Sequence, residues 1–112
     1  MAVVFGNIHG IVTEQEERLD IKHLKKINEV VPNVYLVLHA ASGRKDEDVK
    51  MAIKNGIVNV HINTEIRVAF HQALEEFEKS PQPHTTTPYK IMAPTVEAMQ
   101  KVVEDKLRLF LG

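Results

Sequence analysis

Val58-Asn59-Val60-His61-Ile62-Asn63-Thr64 is the stretch on which the fold turns. Val58, Val60 and Ile62 alternate with Asn59, His61 and Asn63, which predicts a strand over Ile57 to Ile62 with one apolar and one polar face. A central strand of an open doubly wound sheet is covered by helices on both sides and would be apolar on both. In a (β/α)8 barrel the face near the C-terminal strand end points into the active-site mouth, where polar side chains have a use. The polar row therefore favours a barrel-type arrangement.

Two upstream stretches repeat the pattern. Ala2 to Phe5 is an apolar run followed by Gly6-Asn7-Ile8-His9-Gly10, and Val34 to His39 runs into Ala40-Ala41-Ser42-Gly43. Each places a histidine where a strand would end and small residues close by, which let a backbone approach a ligand. Ala2 to Phe5 reads as a short strand buried on both faces. In the second strand Tyr35, Val37 and His39 share one face, and Leu36 and Leu38 the other.

Helical patterns separate and follow these strands. Gly6 to Arg18 reads as a long loop, after which Asp20 caps a helix from Ile21 to about Val30 with Ile21, Leu24 and Ile27 as its apolar stripe. Asp46 caps a second helix, with Glu47 and Asp48 in the first turn, where the dipole favours negative charge. Val49, Ala52 and Ile53 form its buried stripe, and Asn55-Gly56 stops it. Thr64 to Lys79 is a third helix, with Ile66, Phe70, Ala73 and Phe77 on one side. Ser80 to Pro88 is a loop. Pro94 fits the first position of a last helix, which runs to about Phe110 and buries Val96, Met99, Val103 and Phe110. Repeated βα units imply parallel strands joined by right-handed crossovers.

Composition narrows the function. The 112 residues favour a single domain, 1–112. With 14 basic and 15 acidic side chains, a net charge of −1 and no basic block, nucleic acid is not an expected partner. No apolar run approaches the roughly 20 residues of a membrane span, and Met1-Ala2-Val3-Val4-Phe5 lacks the pattern of a signal peptide, so a cytoplasmic location is expected. There is no cysteine, so any metal must be held by histidine, carboxylate or carbonyl groups.

The three strand-end histidines, His9, His39 and His61, are the candidate metal ligands. A single strand-end histidine fits a hydrogen-bonding role as well as ligation, whereas matched contexts on successive strands point to metal. His23, His71 and His84 read as solvent-facing. Ser42-Gly43 and Asn63-Thr64 each precede a helix and suit a phosphate, although Ser42 and Thr64 fit simple helix caps equally well.

These residues resemble the class II, zinc-dependent fructose-bisphosphate and tagatose-bisphosphate aldolases. The match comprises Phe5-Gly6-Asn7-Ile8-His9-Gly10, Val37-Leu38-His39-Ala40-Ala41-Ser42-Gly43, Asp46-Glu47-Asp48-Val49-Lys50 and Gly56-Ile57-Val58. It continues through Asn63-Thr64-Glu65-Ile66-Arg67-Val68-Ala69-Phe70 and ends in Ala93-Pro94, Glu97-Ala98-Met99 and Lys106. It spans essentially the whole chain and corresponds to the C-terminal part of the family.

The resemblance implies an α/β fold: about the last three βα units of a (β/α)8 TIM barrel, plus a C-terminal helix. It implies a glycolytic lyase that cleaves a ketose 1,6-bisphosphate reversibly to dihydroxyacetone phosphate and an aldehyde triose phosphate, with Zn2+ as Lewis acid. His9 and His39 match two zinc ligands, with His61 a candidate third. Gly10, Ser42, Gly43 and Thr64 match residues that bind the substrate phosphate, where a monovalent cation often assists; Asn63 belongs to the same cradle. The family has asparagine, a substrate contact, at the position of His61, glycine at Ala40, and usually aspartate or alanine at Asn63. Its third zinc histidine, catalytic aspartate and proton-transfer glutamate lie in the first half of the barrel, so no catalytic acid–base residue is expected in this chain. The resulting expectation is a sugar-phosphate-binding portion, inactive alone, that forms homo-oligomers or joins a complementary N-terminal half-barrel. The alternative is a non-catalytic zinc- or phosphate-binding module, or an assembly remnant.

Overall fold

A computed structural model describes residues 1–6, 18–81 and 85–112. The chain is α/β, in the order α1 (Ile21–Val30), β1 (Leu36–Leu38), α2 (Asp46–Lys54), β2 (Ile57–Val60), α3 (Thr64–Lys79) and α4 (Pro88–Leu111). It divides into two compact units, Met1–Asn63 and Thr64–Leu111.

The first unit is built on parallel strands. β1 and β2 pair in parallel, with Leu36 opposite Ile57, Val37 opposite Asn59 and Leu38 opposite Val60. The N-terminal segment lies against β1 through a parallel bridge from Ala2 to Val37. There the Val37 N–H donates to the Met1 carbonyl at 2.8 Å and the Val3 N–H to the Val37 carbonyl at 3.3 Å. The expected parallel order is thus present, with shorter strands.

One face of this sheet is the core. Leu36 and Leu38 are fully buried and pack with Val3, Phe5, Leu24 of α1, Ala52 of α2 and Ile57. Burying a side chain of that size stabilises the fold by roughly 1.5–3 kcal/mol. Tyr35 on the opposite face is 80% exposed, so the anticipated facing of β1 holds. The N-terminal segment differs from expectation: Val3 and Phe5 are buried but Val4 is 74% exposed, so only one face is covered.

β2 also departs from simple alternation. The register slips by one residue between Leu36 and Val37, so that Val58 has no direct partner. Such a bulge changes the phase of the side chains. Ile57 is buried, Val60 and Ile62 pack on the same core, and Val58 turns out to 61% exposure.

The helix ends follow local chemistry with one correction. The Asp20 carboxylate accepts from the His23 N–H at 2.9 Å, capping α1 as anticipated. For α2 the cap residue is Lys45, without a side-chain cap bond, and Asp46 is the first helical residue. Asp48 instead accepts from the Leu19 N–H at 3.4 Å, tying α2 to the segment that enters α1. Gly56 has φ +109°, and a Cβ there would lie 2.6 Å from Asn28 Nδ2 of α1, so the turn into β2 requires glycine.

In the second unit α3 and α4 pack together. Ile66, Phe70, Ala73 and Phe77 of α3 are half-buried. α4 begins at Pro88 and runs through Pro94, contrary to the expected start. Pro88 takes the first helical position, where its missing N–H costs nothing, and the Thr87 carbonyl accepts from Lys90 and Ile91. The buried stripe of α4 also differs. Val96 and Val103 are 51% and 41% exposed, whereas Thr95 and Leu109 are buried and Met99, Val102 and Lys106 are half-buried. These positions recur every three or four residues, but two are polar. The Thr95 hydroxyl is satisfied by the Met92 carbonyl at 2.7 Å, and Lys106 Nζ pairs with Glu65 Oε2 of α3 at 2.8 Å.

Candidate functional site

The site grows from the register of β1 and β2. Leu38 lies opposite Val60, so His39 and His61 follow side by side at the C-terminal strand ends. The His61 N–H donates to the Leu38 carbonyl at 2.9 Å, which extends the strand pairing to this residue. The two imidazoles meet edge to face, with ring centroids 4.3 Å apart and planes at 76°. His39 is half-buried and His61 exposed. Asn59 and Asn63, which alternate with His61, are exposed as well.

The loop after β1 carries the second part of the site. Ala40 has φ +56°, the left-handed region that an L side chain enters at a cost of about 1–2 kcal/mol. Ala41 is buried in the core and holds the loop to the sheet. Its carbonyl accepts from the Arg44 N–H at 3.2 Å, while Arg44 Nε reaches the Ala40 carbonyl at 3.5 Å. Gly43 has φ +77° and nothing within 4 Å of where a Cβ would stand. The Ser42 hydroxyl accepts from the Asn63 N–H at 3.3 Å. The sequence suggests adjacent cradles at Ser42 and Asn63, and this bond joins them across the two strand ends. The structure also corrects the reading of Ser42 as a cap, since α2 is preceded by Lys45.

His9 and Gly10 fall outside the described residues, as does His84. Thr64 is the first residue of α3. His23 is exposed on α1, and His71 is exposed on α3, where Nε2 lies 3.1 Å from Glu75 Oε1. Both are surface residues, as the sequence predicts.

Imidazole nitrogens suit Zn2+, and the donor set at His39 and His61 fits such an ion chemically. Among the described residues no group of three or more His, Cys, Asp or Glu side chains gathers where it could hold a metal. No helix of the described residues is long and apolar enough to cross a membrane.

Over residues 1–112 the sequence matches the family described as fructose-bisphosphate aldolase class-II. The fructose-bisphosphate aldolase of Streptococcus pyogenes serotype M1 is 36% identical over 118 residues, which cover 98% of this chain and 40% of that protein. Among solved structures, the YdjI aldolase from Escherichia coli K12 superposes with a TM-score of 0.77 at 32% identity, covering 97% of this chain and 37% of that one. A putative fructose-1,6-bisphosphate aldolase from Coccidioides immitis gives a TM-score of 0.84 at 28% identity, with the same coverage of 97% and 37%. The chain spans about two fifths of the length of the curated relatives it matches.

Proposed function

Because this chain belongs to the class-II fructose-bisphosphate aldolase family, we propose that it supplies the C-terminal portion of a zinc-assisted aldolase. Residues 1–112 provide about the last three βα units and the closing helix of a (β/α)8 barrel, in the cytoplasm. The reaction is the reversible cleavage of a ketose 1,6-bisphosphate into dihydroxyacetone phosphate and an aldehyde triose phosphate, a glycolytic step. The observation that carries this reading is His39 at the C-terminal end of β1, beside a loop whose Ser42 hydroxyl is bound by the Asn63 N–H. Catalytic groups of barrel enzymes occupy that end of the strands.

His39 and His9 would hold the zinc, with a third histidine from outside these 112 residues. When bound, the metal supplies Lewis-acid polarisation of the substrate's keto group. The remaining tasks belong to the chain's own residues. Ser42 offers its hydroxyl, and Gly43, lacking a side chain, lets a phosphate oxygen approach the backbone. Gly10 and Thr64 serve the same phosphate in this reading, where a monovalent cation also binds. His61 contacts the substrate. No acid–base residue of the reaction is assigned to this chain, so it is inactive by itself, and its partner is a complementary N-terminal half-barrel. A whole barrel takes roughly 250 residues.

The test is a retro-aldol assay on fructose 1,6-bisphosphate, with and without chelator. The chain is assayed alone and mixed with an N-terminal segment of a family member that ends where the match to this chain begins. Triose phosphate from the mixture alone, abolished by chelator, is the expected result. Triose phosphate from the isolated chain contradicts the assigned incompleteness, and none from a mixture that demonstrably associates contradicts the aldolase role.

A second reading, a metal-binding module without catalysis, is favoured by the contact between His39 and His61. It differs from the first in taking His61, beside His9 and His39, as the third ligand.

A further inference from the structure

We propose that Lys106 is a positioning residue for the substrate phosphate: it holds the Glu65 carboxylate against α4, away from the opening amides of α3 that the anion approaches. The proposal rests on the reading of Thr64 as a phosphate ligand. It goes one step beyond that reading, to the residues that keep this helix start open to an anion.

Three observations carry it. Thr64 is the first residue of the 16-residue α3, and Glu65 stands next to it in the first turn. Lys106 Nζ lies 2.8 Å from Glu65 Oε2, the distance of a charge-assisted bond, and the two side chains are only 18% and 26% exposed. α3 and α4 are consecutive in the chain and pack together, and this pair joins the start of one to the last turns of the other. The two helices therefore run antiparallel, and α4 brings its lysine to the first turn of α3.

The electrostatics give the pair its task. The dipole and the N–H groups at a helix N-terminus attract an anion. A carboxylate in the first turn is favoured by the same field, and a first-turn glutamate can reach back toward the opening amides. Glu65 is thus a rival to the phosphate, placed one residue from its ligand. Bonded to Lys106, its carboxylate is turned toward α4 and faces a positive charge. The pair is mostly buried, so salt in the solvent screens it less than a surface pair. Both residues stand in the stretches that resemble the aldolases, and neither has another task in the proposed reaction. The competing account is that the pair only fastens α3 to α4.

The experiment is titration of the full chain with inorganic phosphate at fixed ionic strength, followed by NMR at the Thr64 and Glu65 amides. Far-UV circular dichroism confirms the fold of each variant. The variants are Lys106→Met, Lys106→Arg, Glu65→Gln, and Lys106→Met combined with Glu65→Gln. A pair that only fastens the helices is weakened from either side, so the two single losses of charge would lower affinity alike. With Glu65 as the rival they part. Lys106→Met takes the ammonium from beside the carboxylate, and phosphate affinity falls by about threefold or more. Lys106→Arg keeps the parental affinity. Glu65→Gln carries no rival charge and binds at least as tightly as the parent, and the double variant returns to within about twofold of the parent.

Equal losses in Lys106→Met and Glu65→Gln, or no loss in Lys106→Met, overturn the proposal and leave the phosphate site standing. No saturable binding in the parent chain overturns the reading of Thr64 and the proposal with it. If Lys106→Met fails to fold, Glu65→Gln decides alone: unchanged or tighter binding supports the proposal, and a loss of about threefold overturns it.

Discussion

The Asn63 N–H and the Ser42 hydroxyl, 21 residues apart in the chain, are joined at 3.3 Å and latch the loop after β1 to the end that follows β2. It ties a loop that carries candidate phosphate ligands to the neighbouring strand end, and it makes Ser42 a latch as well as a candidate ligand. Removing the hydroxyl in Ser42→Ala should cost about 0.5–1.5 kcal/mol of stability, the net value of such a bond. Hydrogen exchange checks it: the Asn63 amide should lose protection while amides within α1 keep theirs. An unchanged Asn63 rate would show that the latch is not formed in solution.

Ala40 is the strained residue of the same loop, at φ +56°. Glycine adopts this conformation without the Cβ penalty, but adds freedom to the unfolded chain. The strain of about 1–2 kcal/mol outweighs the entropic loss of about 0.4–1 kcal/mol. Ala40→Gly should therefore raise stability by about 0.5–1 kcal/mol, read from the denaturant midpoint at unchanged slope. Ala40→Val, with a β-branched side chain at positive φ, should lower it.

Gly56 gives a prediction that separates two causes. At φ +109°, with a Cβ 2.6 Å from Asn28 Nδ2, an alanine suffers both backbone strain and a clash. Gly56→Ala should cost about 1–3 kcal/mol. In the double variant with Asn28→Ala the clash disappears and the strain remains, so part of the loss, and only part, should return. Full recovery would mean that φ carries no cost.

Between α3 and α4, Lys106 Nζ and Glu65 Oε2 meet at 2.8 Å with side chains only 18% and 26% exposed. Truncating one partner removes this ion pair from a mostly buried position. Lys106→Ala or Glu65→Ala should each cost about 1–3 kcal/mol, measured by thermal or denaturant unfolding. The paired replacement should cost less than the sum of the singles.

Lys106, with Thr95, also marks where the sequence was hard to read. A search for apolar periodicity in α4 selects Val96 and Val103, yet the helix buries Thr95 and half-buries Lys106. Their polar atoms are satisfied by a carbonyl three residues back and by a carboxylate on another helix. Neither partner is visible in the spacing of apolar residues. Pro94 misled in a related way, because a second proline, Pro88, occupies the helix start and Pro94 is carried inside. In β2 the bulge at Val58 reverses one position of an otherwise regular alternation. A slip of register of that kind depends on the partner strand.

What was legible followed from short-range chemistry. Asp20 as a cap, the Ile21-Leu24-Ile27 stripe and the glycine turn at Gly56 are local, and all are present. The facing of Leu36 and Leu38 against Tyr35 followed from alternation alone. At the site, the expected polar row on β2 placed His61 at the strand end. That it touches His39 required the register, and the bond from Asn63 to Ser42 required both loops.

The central claim is that His39 is a metal ligand of an aldolase site completed from outside this chain. Its most direct test is the zinc content, by elemental analysis, of this chain reassembled with the N-terminal segment of a family member. Comparison is with the same assembly carrying His39→Asn. The account predicts about one zinc per reassembled pair, lost in His39→Asn while the two polypeptides still associate. Zinc retained at the parental level in the variant would contradict it.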